Sequence, residues 1–186
     1  MDATAADLRA LVEGHEPTSP REHAAKKQFL QALAGLSAPC DEQSDPTHVT
    51  ASGIVVGRRG TVLHLHKRLG IWIQPGGHID AGEPPSAAAL REATEELGLA
   101  VEHPSSGARL IHLDVHDAAF GHTHLDLRYL LIAGDDDPQP PPGESPDARW
   151  CDWDDALAMA DAALIDALPV ARAAYEAAVP TRQAGV

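Results

Sequence analysis

The stretch from Gly77 to Leu99, GHIDAGEPPSAAALREATEELGL, constrains the fold more than any other part of the chain. A loop built on Gly76, Gly77 and Gly82 runs into Ser86 to Leu97, a segment rich in Ala, Leu, Arg and Glu, all strong helix formers. Gly98 then stands where a helix commonly stops. On such a helix Glu92, Glu95 and Glu96 lie three and four positions apart and share one side, with Glu92 and Glu96 one turn apart. Carboxylates this crowded repel one another, so the arrangement makes most sense if a cation offsets the repulsion. Hard oxygen ligands at this spacing suit Mg²⁺ or Mn²⁺, which keep several waters and take substrate phosphates at the remaining positions. Such an ion neutralises phosphate charge in a diphosphate hydrolysis and lowers the pKa of a bound water. A carboxylate not fully committed to the ion could accept the water's proton. Arg91 adjoins the acids and could orient one by a bidentate pair. Gly76 and Gly77 let a backbone carbonyl approach a cation.

Composition narrows the partners. With 14 basic residues against 28 acidic ones the net charge is −14. A surface so acidic repels nucleic acid and anionic membranes, and no basic stripe compensates for it. A small anionic substrate must therefore be met by local positive charge or by a bound cation. No stretch approaches the ~20 apolar residues needed to span a bilayer. The first residues, MDATAADLRALVEG, do not read as a signal peptide, so a cytoplasmic location is expected. Cys40 and Cys151 lack metal-ligand spacing and read as thiols in a reducing compartment.

The chain opens with a helical preface in two pieces. Leu8, Leu11 and Val12 have helical spacing up to Gly14. After Pro17, Ser19-Pro20 reads as an N-cap with proline at the first helical position, and Phe29, Leu30, Leu33 and Leu36 form the apolar stripe that follows. The preface is expected to serve as a packing or dimerisation arm, with Ser37 to Thr47 as a linker. Strands are expected at Val49 to Val56, Thr61 to His66, Ile71 to Ile73, Arg109 to Val115, His124 to Ile132 and Arg149 to Cys151. Gly57-Arg58-Arg59-Gly60 is a hairpin turn between the first two. The loop from Gly134 to Ala148 carries five prolines and is expected to be mobile. Helices are expected from Asp154 to Leu168 and from Pro169 to Ala178. Strands on both sides of a central helix, with another helix at the end, predict an α/β fold built on a mixed sheet covered on both faces.

The spacing of Gly77, Glu83, Arg91, Glu92, Glu95, Glu96 and Gly98 is specific: at roughly 6% usage per position it arises by chance on the order of once in 10⁸ to 10⁹ starts. It resembles the signature box of the Nudix hydrolases, and Trp72-Ile73-Gln74-Pro75-Gly76-Gly77 looks like that family's lead-in. The resemblance covers about Val49 to Leu168. It implies an α/β/α sandwich, with residues 1–46 an N-terminal helical extension and linker and 47–186 the Nudix hydrolase domain. It also implies Mg²⁺-dependent hydrolysis, by metal-activated water, of a diphosphate linkage in a nucleoside diphosphate joined to another moiety. By the family pattern Glu92 and Glu96 are the firmest ligands and Glu95 a third. The Gly76 carbonyl is a backbone ligand, while Glu83 and Arg91 support the loop–helix junction. The alternative is a Nudix-fold nucleotide sensor that binds without hydrolysing, for which lost box carboxylates would be expected. None is lost here.

Outside the box, Glu144 is the candidate for a further acid, with Asp126 behind it. His124, Arg128, Lys67 and Arg68 are candidate substrate or phosphate contacts. The pairs His64/His66, His112/His116 and His122/His124 with Asp126 could alternatively be ligands of a softer metal. The family markers associated with ADP-ribose, dinucleoside polyphosphates or coenzyme A are not evident around Asp114 to Asp117.

Overall fold

The computed structural model describes residues 4–178. Asp2 and the end of the 47–186 span lie outside the described residues. Thr4 and Asp7 cap each other's backbone to start α1 (Ala5–Gly14), and the Ser19 hydroxyl accepts from the Glu22 amide to start α2 (Pro20–Leu33). Eight strands follow: β1 (Thr47–Gly57), β2 (Gly60–Leu65), β3 (Trp72–Ile73), β4 (Gly76–His78), β5 (Val101–Glu102), β6 (Arg109–Asp117), β7 (Thr123–Ala133) and β8 (Ala148–Cys151). The helix α3 (Pro85–Leu97) lies between β4 and β5, and α4 (Trp153–Met159) and α5 (Ala162–Ala178) close the described chain. The sheet runs β3-β2-β1-β7-β5, with β4 on β1, β6 on β7 and β8 on β2. Its centre is the parallel pair β1–β7; the remaining pairings are antiparallel, so the sheet is mixed as expected.

Both faces are covered. Val55, Leu131 and Val62 pack against Ala93 and Leu97 of α3, while Ile54, Val56 and Leu130 pack against Leu164, Leu168 and Ala171 of α5. The N-terminal preface is part of this core. Leu8, Val12, Phe29 and Leu33 are buried in one cluster with Val49, Leu113 and Leu125. The apolar stripe of α2 therefore packs within its own chain, in line with the packing reading of the preface.

Glu22 fastens α2 to the sheet edge. Its carboxylate accepts from the Leu113 amide of β6 at 3.0 Å, the Thr18 amide at 2.6 Å and the Thr18 hydroxyl at 3.0 Å, and it pairs with His15 at 2.6 Å. Burial alone would raise its pKa. The His15 and Thr18 bonds, the nearby His112 imidazole and the Leu113 amide outweigh burial and hold it at about 2. A carboxylate depressed in the folded state stabilises above its ordinary pKa and loses that effect as pH falls through the folded value. Glu22→Gln is thus expected to lower stability at pH 7 by about 2 kcal/mol and to flatten the acid limb between about pH 4.5 and 2. Urea denaturation across that range checks it.

Two helical expectations change. The segment expected to be one helix from Asp154 to Leu168 breaks after Met159: the Asp161 carboxylate accepts from the Ala163 and Leu164 amides and opens α5 afresh. Then α5 continues through Pro169, where a second helix was expected to start. The proline-rich loop is held in place at several points: the Ser145 hydroxyl donates to the Leu65 carbonyl, the Trp150 indole to the Asp136 carbonyl and the Leu65 amide to the Asp147 carbonyl. The Gln139 amide donates to the Leu97 carbonyl at 2.9 Å, exactly beside the left-handed Gly98 (φ 56°), where an added Cβ would collide with the Gln139 carbonyl. Gly98→Ala is expected to cost at least ~2 kcal/mol, a fall of roughly 4–8 °C in Tm by thermal denaturation.

Candidate active site

The glycine loop and α3 meet at Arg91. Its guanidinium forks onto Glu83, with Nε to Oε1 at 3.0 Å and Nη2 to Oε2 at 2.8 Å, and also donates to the His78 carbonyl at 3.0 Å. Nη1 donates to Glu92 at 2.8 Å and to Glu95 at 3.3 Å. Glu83 and Arg91 thus lock β4, the loop and α3 into one unit, and two of the three glutamates on α3 hang from the same cation.

Glu96 is held differently. It accepts from the Gly76 amide at 2.9 Å and has no arginine partner among the described residues. Burial pushes its pKa up to about 7, helped by the charges of Glu92, Glu144 and Glu95 and opposed by the Gly76 amide. Burial likewise raises Glu92, against the pull of Arg91. The loop backbone touches this pair: a Cβ on Gly77 would lie 2.7 Å from the Glu92 carboxyl. Half-buried, mutually repelling carboxylates against an unobstructed backbone form a donor set that fits a hard divalent cation. Glu95 is on the solvent side of the group, its side chain 58% exposed.

Glu96 opens onto a cavity of about 390 Å³ lined by His64, His66, Lys67, Arg68, Glu144 and Ser145. Glu144, expected from the sequence, is therefore brought to the carboxylate group, and Lys67 and Arg68 stand on the same wall. The buried His64 ring lies 3.8 Å from Glu96 and is held near pKa 4 by burial and by His66, so it faces the site as a neutral imidazole. At the rim, the Arg68 guanidinium sits 5.4 Å from the Phe120 ring. Phe120 is 87% exposed and occupies the left-handed region at φ 61°, uncommon for a bulky residue.

Two expected substrate contacts lie elsewhere. Arg128 and Asp126 are buried inside the fold, where Arg128 donates to Asp126 at 3.1 Å and to Asp114 at 3.2 Å. Asp126 also accepts from Thr50 and Ser52. The polar side of β7 faces β1 and β6 residues of the interior rather than the cavity, so neither residue presents a group to a ligand there. His124, also expected at the substrate, lies instead in a histidine group with His48, His78, His116 and His122. Burial and neighbouring rings hold His124 near pKa 4. The sequence pairs His64/His66 and His122/His124 do not share one site: the first lines the cavity, the second this group. His48 and His78 escaped notice because nothing in their spacing links them. The signal that finds them is strand register, which sets His48 beside His124 and His78 beside Thr50.

A NUDIX domain model matches residues 46–172. The chain belongs to the Nudix hydrolase family. It is 30% identical over 131 residues to the asymmetrical bis(5'-nucleosyl)-tetraphosphatase of Caenorhabditis elegans, covering 64% of this chain and 91% of the relative. It is 32% identical over 79 residues to the 8-oxo-dGTP diphosphatase of Escherichia coli (strain K12), covering 42% of this chain and 54% of the relative. Among solved structures, a Nudix hydrolase from Clostridium perfringens superposes with a TM-score of 0.58 at 29% identity, covering 68% of this chain and 97% of that one. A C. elegans Ap4A hydrolase complex superposes equally, with a TM-score of 0.58, 23% identity and coverage of 70% and 98%, and shows the shared fold. Nudix enzymes generally use a divalent metal. Among the described residues, no helix is long and apolar enough to cross a membrane.

Proposed function

We propose that this Nudix hydrolase cleaves a diphosphate linkage in a nucleoside diphosphate joined to another moiety, with Mg²⁺ as its metal and Mn²⁺ able to replace it. The observation that carries the reading is the half-buried Glu92–Glu96 pair against Gly76 and Gly77, with Glu96 lacking an arginine partner among the described residues and opening onto a cavity that Lys67 and Arg68 also line. Residues suited to the ion are Glu92, Glu96, Glu95 and the Gly76 carbonyl; when bound, it would draw charge from the phosphate oxygens and acidify a water. Arg91 acts at one remove, holding Glu92 and Glu95 in place through its fork on Glu83. Lys67 and Arg68 hold the substrate's phosphates, which an acidic protein would otherwise repel. Glu144, which lines the cavity beside Glu96 and is not assigned to the ion, is the group able to take a proton from the attacking water. The named activities of the relatives, on a dinucleoside tetraphosphate and on a modified nucleoside triphosphate, support this substrate class.

Phe120 is the surface for the base. A base stacked on it next to Arg68 accounts for an exposed aromatic in a strained backbone. Phe120→Gly is expected to raise KM about tenfold, in line with ~1–3 kcal/mol of stacking, with kcat little changed and Tm equal or higher. Steady-state kinetics with a calorimetric Tm would read both. The reading as a whole is tested by a panel of nucleoside triphosphates, dinucleoside polyphosphates, nucleotide sugars and ADP-ribose-type compounds with Mg²⁺ or Mn²⁺. Hydrolysis of at least one at the diphosphate is expected; binding without turnover across the panel would favour a sensor instead.

A further inference from the structure

We infer that the protein carries a second metal site, separate from the glutamate group, in which His48, His78 and His124 bind a late first-row divalent cation of the Zn²⁺ type. One ring nitrogen from each of the three lies within 4.8 Å of the others, and a second set, Glu42, His48 and His122, meets the same limit. His48 belongs to both sets and joins them. His48 comes from β1, His78 from β4, His124 from β7, Glu42 from the segment after α2 and His122 from the position just before β7.

His48 is the decisive member. It is fully buried, its Nε2 has no partner, and its Nδ1 lies 3.3 Å from the Asp45 carbonyl. A proton on Nδ1 directed at that carbonyl leaves the Nε2 lone pair facing the group. That is the arrangement by which an outer carbonyl fixes the tautomer of a metal-ligating histidine. A buried polar atom without a partner is costly, and an ion at Nε2 would satisfy it. The His48 ring packs within 5.2 Å of His78, His122 and His124, centroid to centroid. Tetrahedral ligands at ~2.0–2.1 Å from an ion stand roughly 3.4 Å apart, so small rotations of rings already this close complete the set. Glu42, 3.2 Å from His78, supplies a fourth, anionic ligand. Imidazole ligands select Zn²⁺-type ions, whereas the all-oxygen glutamate site selects Mg²⁺ or Mn²⁺, so the two sites need not compete. The bound ion would clamp the linker, and with it the α1–α2 preface, to β4, whose His78 carbonyl holds Arg91.

The test is calorimetric titration of the full chain with Zn²⁺ in saturating Mg²⁺, beside the electronic absorption of the Co²⁺-loaded protein. One Zn²⁺ per chain is expected, with a four-coordinate Co²⁺ visible band. Zn²⁺ affinity should be unchanged in Glu92→Gln/Glu96→Gln and at least 100-fold weaker in His78→Gln/His124→Gln. His78 is half-exposed, so the single variant His78→Gln, checked by circular dichroism, keeps the test valid if the double variant does not fold; it should lose the band and bind at least tenfold more weakly. Absence of Zn²⁺ binding, equal affinity in the histidine variants, or loss of binding in the glutamate variant would overturn the site. None of these outcomes depends on the hydrolytic reading.

Discussion

Glu96→Gln is expected to lower turnover by at least three orders of magnitude while raising the Tm measured in EDTA at pH 8. The two effects have one cause. Gln keeps the shape and can still accept from the Gly76 amide, so the loop–helix junction stands. What it loses is the charge. Burial beside Glu92 and Glu144 raises Glu96 to about 7, so the folded chain binds a proton more tightly than the unfolded chain does. For an acid shifted upward the penalty is present above the folded pKa and fades as pH falls toward the ordinary value. At pH 8 without metal the ionised Glu96 therefore destabilises, and its amide replacement should relieve that; near pH 4–5 the difference should vanish. With Mg²⁺ the order should reverse, since the wild type gains more stability from the ion. A glutamate with a merely structural role would lose stability and activity together. Initial rates and Tm at both pH values, with EDTA and with Mg²⁺, separate the two cases.

Arg128→Met is expected to cost about 3–5 kcal/mol, a fall of roughly 6–20 °C in Tm, with no gain in exposed charge to compensate. Arg128 is enclosed with Asp114 and Asp126, all three buried. Burial would raise the Asp114 carboxyl; the hydrogen bond from His116, the Arg128 charge and the Arg21 guanidinium, which donates to it at 3.0 Å, instead hold it well below the usual carboxylate range. Removing the one fully buried cation of the group leaves two carboxylates facing each other across β6 and β7, which are directly opposite in register. Arg128→Lys should recover only part of the loss, because an ammonium cannot reach both acids as the guanidinium does. Retention of wild-type stability in Arg128→Met would show that the acids are neutral or solvated.

The parts of this molecule that read directly from sequence are those set by local chemistry. Gly57-Arg58-Arg59-Gly60 gives the hairpin because its glycines bracket the turn, Ser19-Pro20 starts α2, and Gly98 ends α3. The glutamates were legible because one helix carries all three. What was not legible depends on neighbours distant in sequence. Alternation along β7 separates Asp126 and Arg128 from the leucines, yet it cannot say that the polar side is also interior, because β6 and α2 supply that cover. Nor could it show the break at Asp161, where no glycine interrupts an alanine-rich run and the cap is a single carboxylate. His48, His78 and His124 converge through parallel and antiparallel pairing with β1, and thirty or more residues separate each from the next. The short strands β4 and β5 are too brief for any periodicity to mark them.

The claim on which the rest depends is that Glu92 and Glu96 hold the divalent cation, and Mn²⁺ binding measured by electron paramagnetic resonance tests it without reference to any substrate. The expected result is a saturable Mn²⁺ site, displaced by Mg²⁺, at least tenfold weaker in Glu92→Gln/Glu96→Gln and unaltered in His78→Gln. Equal Mn²⁺ affinity in the wild type and the glutamate variant would contradict it.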